Sequence, residues 1–257
     1  MVKDYKNFTQ VRKDLARTLY KQGEEIRTEK WQGKETNEYL KMLEVLNVSF
    51  TCPFGENIDK LKEDIGPNLP WADDHFLERV GREPLNPGVQ YANWPFYKRD
   101  KSQDQHRTIG GVQFTHSYME RLWPPHRDGI RYEYGNFDDV VDLLEREPLT
   151  RQAYLPIWYP EDTGVKHGGR VPCSLGYWFI NRNNKLNVTY TIRSCDMFRH
   201  FQDDIYFAVR KVIWVLEELR KRDKNWDKVT TGNLTMHIGS FHVFALEKKK
   251  VKEVAKL

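Results

Sequence analysis

The chain has 257 residues, 39% hydrophobic and 13% aromatic, enough apolar material for one large domain or two small ones. Charged residues make up 30% and the formal net charge is +4, which argues against a nucleic-acid coat and suits small anionic ligands. Cys52, Cys173 and Cys195 show neither CxxC nor zinc spacing, so no disulfide framework and no metal is expected, and a reducing compartment fits.

The opening "MVKDYKNFTQ" is charged and lacks an apolar h-region, and no apolar run approaches a membrane span. The expectation is a cytoplasmic protein that does not engage membranes. Val11, Leu15, Leu19 and Tyr20 fall at helical spacing, which predicts an amphipathic helix from Phe8 to Gln22. "YLKMLEVLNVSFTC" admits a strand or a helix. Pro53 to Pro95 is rich in Pro, Gly and Asn and reads as loops with short helices. "NFDDVVDLLEREP" predicts a helix capped by Asn136, with Phe137, Val140, Val141 and Leu144 on one face.

"AYLPIWYP" reads as a strand. "SLGYWFINRNNKLNVTYTIRS" reads as a hairpin turning at Asn183-Asn184. In its second arm Leu186, Val188, Tyr190 and Ile192 alternate with a polar set that continues to Arg193. "DDIYFAVRKVIWVLEELRKR" predicts the clearest helix, acidic at its start and basic at its end, as the helix dipole favours. "GNLTMHIGSFHVF" reads as a late strand with a glycine bend, and "EKKKVKEVAKL" as a solvated terminal helix or tail. The fold class is α+β, with a sheet packed against helices.

Several residues carry candidate chemistry. A lone cysteine is by default a small buried hydrophobe. Cys173, between Pro172 and Ser174 at a strand start, becomes a candidate nucleophile if the hairpin returns Arg193 to its side. Arg193-Ser194 can grip an oxyanion by a guanidinium fork, a hydroxyl and a backbone N–H. Asp203-Asp204 by default only opens a helix electrostatically. His242, Trp94 and Tyr118 are by default packing residues.

Together these residues form a pattern. A Pro-Cys step is followed after twenty residues by Arg-Ser-x-Asp, then by a helix, then by Gly-x-x-His-x-aromatic. In this it resembles the thymidylate synthase family, and "PLTRQAYLPIW" is similar to that family's Pro-x-Ser-Arg-Arg segment and the strand after it. The resemblance runs well from Tyr118 to Phe244 and more weakly from Phe8 to Tyr97. It implies a single thymidylate synthase-like domain over 1–257, with inserted loops near 53–95 and 103–111, a mixed sheet packed against helices, and a sheet face forming a homodimer interface.

The resemblance also implies roles. Cys173 is the nucleophile that adds to carbon 6 of a pyrimidine. Arg193 and Ser194 hold the nucleotide phosphate, Arg151 reaches the neighbouring subunit's phosphate, and Arg27 or Lys30 supplies a further phosphate contact. His242 meets the sugar hydroxyl and Tyr118 is the active-site tyrosine. Trp94 stacks on the folate and Asp196 faces its pterin, the co-substrate being 5,10-methylenetetrahydrofolate. Glu78 organises water near the base.

Departures from the family point to its cytidylate-hydroxymethylating branch. Eleven residues after Arg193 the synthases place an asparagine, and this chain has Asp204. A carboxyl can accept from cytosine's amino group and share its proton with the ring nitrogen, whereas a uracil carbonyl meets it as a second acceptor unless the acid is protonated. Ser174 replaces the histidine after the nucleophile, Gln152 the second arginine, and Phe244 a sugar-binding tyrosine. The expected activity is 5-hydroxymethylation of a cytidine monophosphate, dCMP favoured over CMP, by addition of water to an exocyclic methylene. The alternatives are a thymidylate synthase methylating dUMP and a catalytically silent member that binds nucleotide or RNA, although no nucleic-acid partner is expected.

Overall fold

The structure, a computed structural model, describes residues 2–28, 30–31, 34–35, 41–96, 108–109, 113–125, 128, 131–163 and 171–257, with the backbone alone at 30–31, 34–35, 108–109 and 113. It is a mixed α+β architecture. Its sheet runs in the order β1-β5-β11-β10-β9-β8: Lys3–Asp4 (β1), Lys41–Pro53 (β5), Thr230–Phe244 (β11), Lys185–Asp196 (β10), Ser174–Arg182 (β9) and Tyr154–Pro156 (β8). Glu24–Arg27 (β2) also pairs with β5. Two short ribbons, Lys30–Trp31 (β3) with Lys34–Glu35 (β4) and Thr108–Ile109 (β6) with Gln113–Phe114 (β7), stand apart. Most of the inserted stretch 103–111 lies outside the described residues.

The helices follow from local sequence. Helix α1, Phe8–Gln22, is capped by Asn7 and buries Val11, Leu15 and Leu19. Ile58–Ile65 (α2) and Trp71–Val80 (α3) supply the short helices expected after Pro53. Tyr118–Leu122 (α4) starts at a Ser117/Glu120 capping box, and Phe137–Arg146 (α5) at an Asn136/Asp139 box. Phe201–Arg222 (α6) begins two residues before the expected acidic pair and buries Ile205, Ala208, Val212, Val215, Leu216 and Leu219 against the sheet. Lys248–Ala255 (α7) packs on α1 through Val251 and Ala255. No described helix is long and apolar enough to cross a membrane.

Three details of the sheet place the site. Asn183 and Asn184 both take positive φ, 53° and 55°, as a tight turn between right-twisted strands requires, so β9 and β10 stay in register from the turn. That register slips between Thr191 and Ile192, leaving Leu175 as an extra residue, and Arg193 then donates its N–H to the Cys173 carbonyl at 2.9 Å. Gly239 lies so close to β10 that a Cβ there stands 2.8 Å from the Arg193 carbonyl oxygen, so glycine lets β11 run alongside this end of β10. β10 and β11 are parallel, and α6, which joins them, crosses the face of the sheet. Its first turn therefore starts where β10 ends, next to Cys173.

Candidate active site

A cavity opens where the start of β9, the end of β10 and the first turn of α6 meet α3 and α4. Cys173, Ser194 and Asp204 line it from the sheet and α6, and Tyr118 lines it from α4. The offsets read from the sequence thus converge on one hollow. Hairpin pairing supplies the thiol and the guanidinium, and the helix that follows supplies the acid.

Arg193 wraps the loop before β9. Its Nε donates to the Pro172 carbonyl at 2.9 Å and Nη2 to the Val171 carbonyl at 3.2 Å, while Nη2 stands 3.9 Å from Cys173 Sγ. A cation at that distance is what a thiolate nucleophile needs. The rest of the guanidinium is exposed, as an anion-binding group must be. Below the thiol, Tyr118 Oη accepts from the N–H groups of Cys173 and Ser174 at 3.3 and 3.4 Å. Ser174 Oγ bonds to Tyr190 Oη at 2.6 Å, and the Tyr177 and Tyr190 rings stack at 4.4 Å. Burial raises the Tyr118 phenol, and the neighbouring Cys173 raises it further, so its proton is retained for donation.

The acidic pair divides. Asp203, 2% exposed, accepts from the backbone N–H and side-chain amide of Asn68, both at 2.8 Å, and fixes the loop before α3. Asp204 keeps part of its surface on the cavity, with its Oδ2 accepting from the Cys195 thiol at 3.6 Å. Burial pushes the Asp204 carboxyl up to about 7, against the opposing pull of Arg79 and with a smaller push from Asp203. Near neutral pH this group is poised between donor and acceptor.

On the far wall Trp94 stacks flat on His200, with ring centroids 4.9 Å apart. The indole Nε1 is buried with no hydrogen-bond partner among the described residues. An unmet donor in a cavity wall is a group that a bound polar molecule can satisfy.

Other expected residues lie outside the wall. Glu78 points back into the protein, accepting from His75 Nδ1 at 3.0 Å and the Gln90 N–H at 3.1 Å. The Asp196 carboxylate accepts from the Phe198 and Arg199 N–H groups and from Arg199 Nη1. Arg199 in turn bonds Glu247 and lies 4.4 Å over the Phe244 ring, covering the position where the family carries a tyrosine. His242, 6% exposed, is beside Asp196 in β11, with Nδ1 3.3 Å from Ser240 Oγ. Arg151 and Gln152 are exposed on the segment leading into β8, and Arg27 is exposed at the end of β2. The Lys30 side chain lies outside the described residues.

Sequence reasoning missed the α3 wall. Trp71, His75 and Arg79 all line the cavity, four residues apart, so that one helix face is turned to it. The i, i+4, i+8 spacing of an aromatic, an imidazole and a guanidinium was the available signal. Cys195 was also missed as the donor to Asp204.

A family model described as thymidylate synthase matches residues 74–256, from α3 through α7. Among solved structures, the chain is similar to the thermostable thymidylate synthase A from Bacillus subtilis, with a TM-score of 0.67 and 16% identity over 97% of this chain and 84% of that one. That likeness carries the fold alone, while the family match takes in every residue placed around the cavity from His75 onward. The chain belongs to the thymidylate synthase family.

Proposed function

We propose that this chain is a folate-dependent cytidylate 5-hydroxymethylase, with dCMP favoured over CMP. One observation supports this most: a carboxyl, Asp204, shares the cavity of Cys173 at the position where the synthases present an amide. Cys173, beside Arg193, adds to carbon 6 of the ring and makes carbon 5 nucleophilic. Asp204 accepts from the exocyclic amino group and shares its proton with the ring nitrogen, which also spreads the charge that develops as the thiolate attacks. Arg193 and Ser194 take the phosphate, with Arg151 reaching across a homodimer, and His242 takes the sugar.

Methylenetetrahydrofolate supplies the one-carbon unit. Trp94 is the residue assigned to hold it, and its unmet Nε1 fits a heterocycle with polar edges. Asp196, fixed by Arg199, is assigned to the pterin side. Among the described residues, Glu78 hydrogen-bonds one cavity-lining side chain, His75. Its expected part in organising water for the hydroxymethyl group therefore passes through that imidazole.

The reading is tested by offering dCMP, CMP and dUMP together with methylenetetrahydrofolate and weighing the products. Gain of one hydroxymethyl group on a cytidylate without dihydrofolate supports it; dihydrofolate formed from dUMP overturns it. That second outcome is the runner-up reading, thymidylate synthesis, and it draws on the same carboxyl. An acid poised at about 7 is half protonated in neutral solution and can then donate to a uracil carbonyl. Asp204→Asn separates the two: hydroxymethylation requires the dCMP/dUMP preference to fall, by about 10- to 100-fold for one mismatched buried hydrogen bond.

A further inference from the structure

Arg79 is a buried cation that the chemistry above leaves unused. It is 6% exposed and lines the cavity, yet among the described residues no carboxylate forms an ion pair with it. An arginine taken this far out of water needs compensation.

Part of that compensation is a relay. Arg79 Nε donates to His75 Nε2 at 3.1 Å, and His75 Nδ1 donates to Glu78 Oε2 at 3.0 Å. Glu78 Oε1 is anchored by the Gln90 N–H. The two bonds define one tautomer, with the proton on Nδ1. Burial, with a smaller push from Arg79, lowers His75 to about 4, so the ring is neutral and free to accept. Two aromatic faces complete the seat: the guanidinium lies 4.4 Å over Tyr118 and 4.2 Å over Phe207. Glu78, His75, Tyr118 and Phe207 thus lock the fork in one orientation.

The remaining opposite charges are Asp203, which Asn68 already holds, and Asp204, which lines the same cavity but makes no ion pair with Arg79 among the described residues. We propose that Arg79 is the counter-cation of the base pocket, a positioning residue that acts through Asp204 and is itself held by the Glu78–His75 relay. The gap between the two groups leaves the carboxyl open to the substrate while the cation still stabilises its charge. The groups whose charge is felt at Asp204 include Arg79 from α3, Tyr118 from α4, Tyr177 from β9, Tyr190 and Cys195 from β10, and Asp203 and Lys211 on its own helix, while His75, His116, Cys173 and His200 share its cavity. Lys211 is 1% exposed and burial lowers its amine well below its usual value, so Arg79 is the stronger of the two cations acting on Asp204. Arg79 is also the largest influence opposing the upward push of burial on Asp204. The inference rests on the reading in which Asp204 meets the base.

The test follows the Asp204 carboxyl by carbon-13 NMR in the full chain labelled at aspartate, with no substrate present and with Asp204→Asn identifying the resonance. In Arg79→Met the midpoint should rise by about one pH unit or more, the size expected on removing a nearby opposite charge. Arg79→Lys should restore most of it. His75→Phe, which cuts the relay but keeps the arginine, should give a smaller rise. With a cytidylate substrate, the limb of the kcat/KM profile that reports this acid should move by the same amount. An unchanged midpoint in folded Arg79→Met overturns the proposal. If that variant does not fold, an unchanged midpoint in His75→Phe does so. A wild-type protein inactive on dCMP and CMP sinks the hydroxymethylase reading and leaves the titration result standing.

Discussion

Replacing Asp204 by asparagine should stabilise the protein at alkaline pH and leave it nearly unchanged at acid pH. The folded carboxyl titrates at about 7 against a usual 3.8, so the folded state binds the extra proton between those values. Stability contributed by this group is therefore present below about pH 4, falls as pH rises through 4 to 7, and stays low above 7. A shift of about 3 units corresponds to about 4 kcal/mol, and allowing for water in the cavity gives about 2–4 kcal/mol. Asparagine is of similar size, cannot ionise, and still offers Cys195 an acceptor, so the comparison isolates the charge. The assay is urea unfolding of both proteins at pH 4.5, 6 and 8.5. The difference between them should open steadily across that range in favour of the variant, reaching roughly 2–4 kcal/mol at the top. Taking the difference cancels the titrating groups that are not coupled to Asp204. A gap that stays constant from pH 4.5 to 8.5 refutes the claim that burial holds the Asp204 carboxyl well above the usual carboxylate range.

Cys173→Ser should abolish turnover on every nucleotide and remove the covalent protein–nucleotide adduct seen by intact mass, while phosphate-dependent binding, measured calorimetrically, persists through Arg193. Asp203→Ala should cost about 1–3 kcal/mol in chemical denaturation, because it leaves the two Asn68 donors unmet, and should leave the dCMP/dUMP ratio where it was. Lys211→Met should raise the melting temperature, and by more at pH 7 than at pH 10. The folded amine is depressed below 10.5, so the penalty for burying it grows as pH falls from that value.

The long helices were legible because their apolar faces repeat over several turns, as Val11, Leu15 and Leu19 do in α1 and Phe137, Val140, Val141 and Leu144 in α5. β5 was not, and the reason is local. Val48, Phe50 and Cys52 alternate inward, but Asn47 takes φ 55° between the Val48–Ile238 and Leu46–Ser240 pairs, and Met42 and Leu43 are both buried before it. One break of the period-two pattern makes a strand look helical. In the site, the grouping of Cys173, Arg193 and Asp204 could be read from offsets, since a two-residue turn and a short crossover leave little freedom. The α3 wall could not be read in that way. A helix face turned to a cavity has the same spacing as one turned to the core, and only the packing of α3 on α6 decides which it is. Glu78, one residue from Arg79, is rotated about 100° away on the helix, so it faces Gln90 and the Val89–Tyr91 turn.

The two acids at the start of α6 show which force governs this site. The helix dipole was sufficient to account for both, and it favours the ionised form by about 0.3–1 kcal/mol near an N-terminus. Asp203 is consistent with part of that account: burial raises its carboxyl too, but two strong donors from Asn68 answer its oxygens and oppose the rise. Asp204 is not. Its carboxyl rises to about 7 although Arg79 and the Cys195 thiol favour the charge, so burial, helped by Asp203, outweighs them. A carboxyl placed for the helix's benefit belongs in water or against a donor. One left on a cavity wall with a single weak thiol donor costs the fold stability and gains nothing locally. That cost is intelligible if an outside partner completes the set. Cytosine's amino group and ring nitrogen present one donor and one acceptor side by side, the complement of a carboxyl caught near its midpoint.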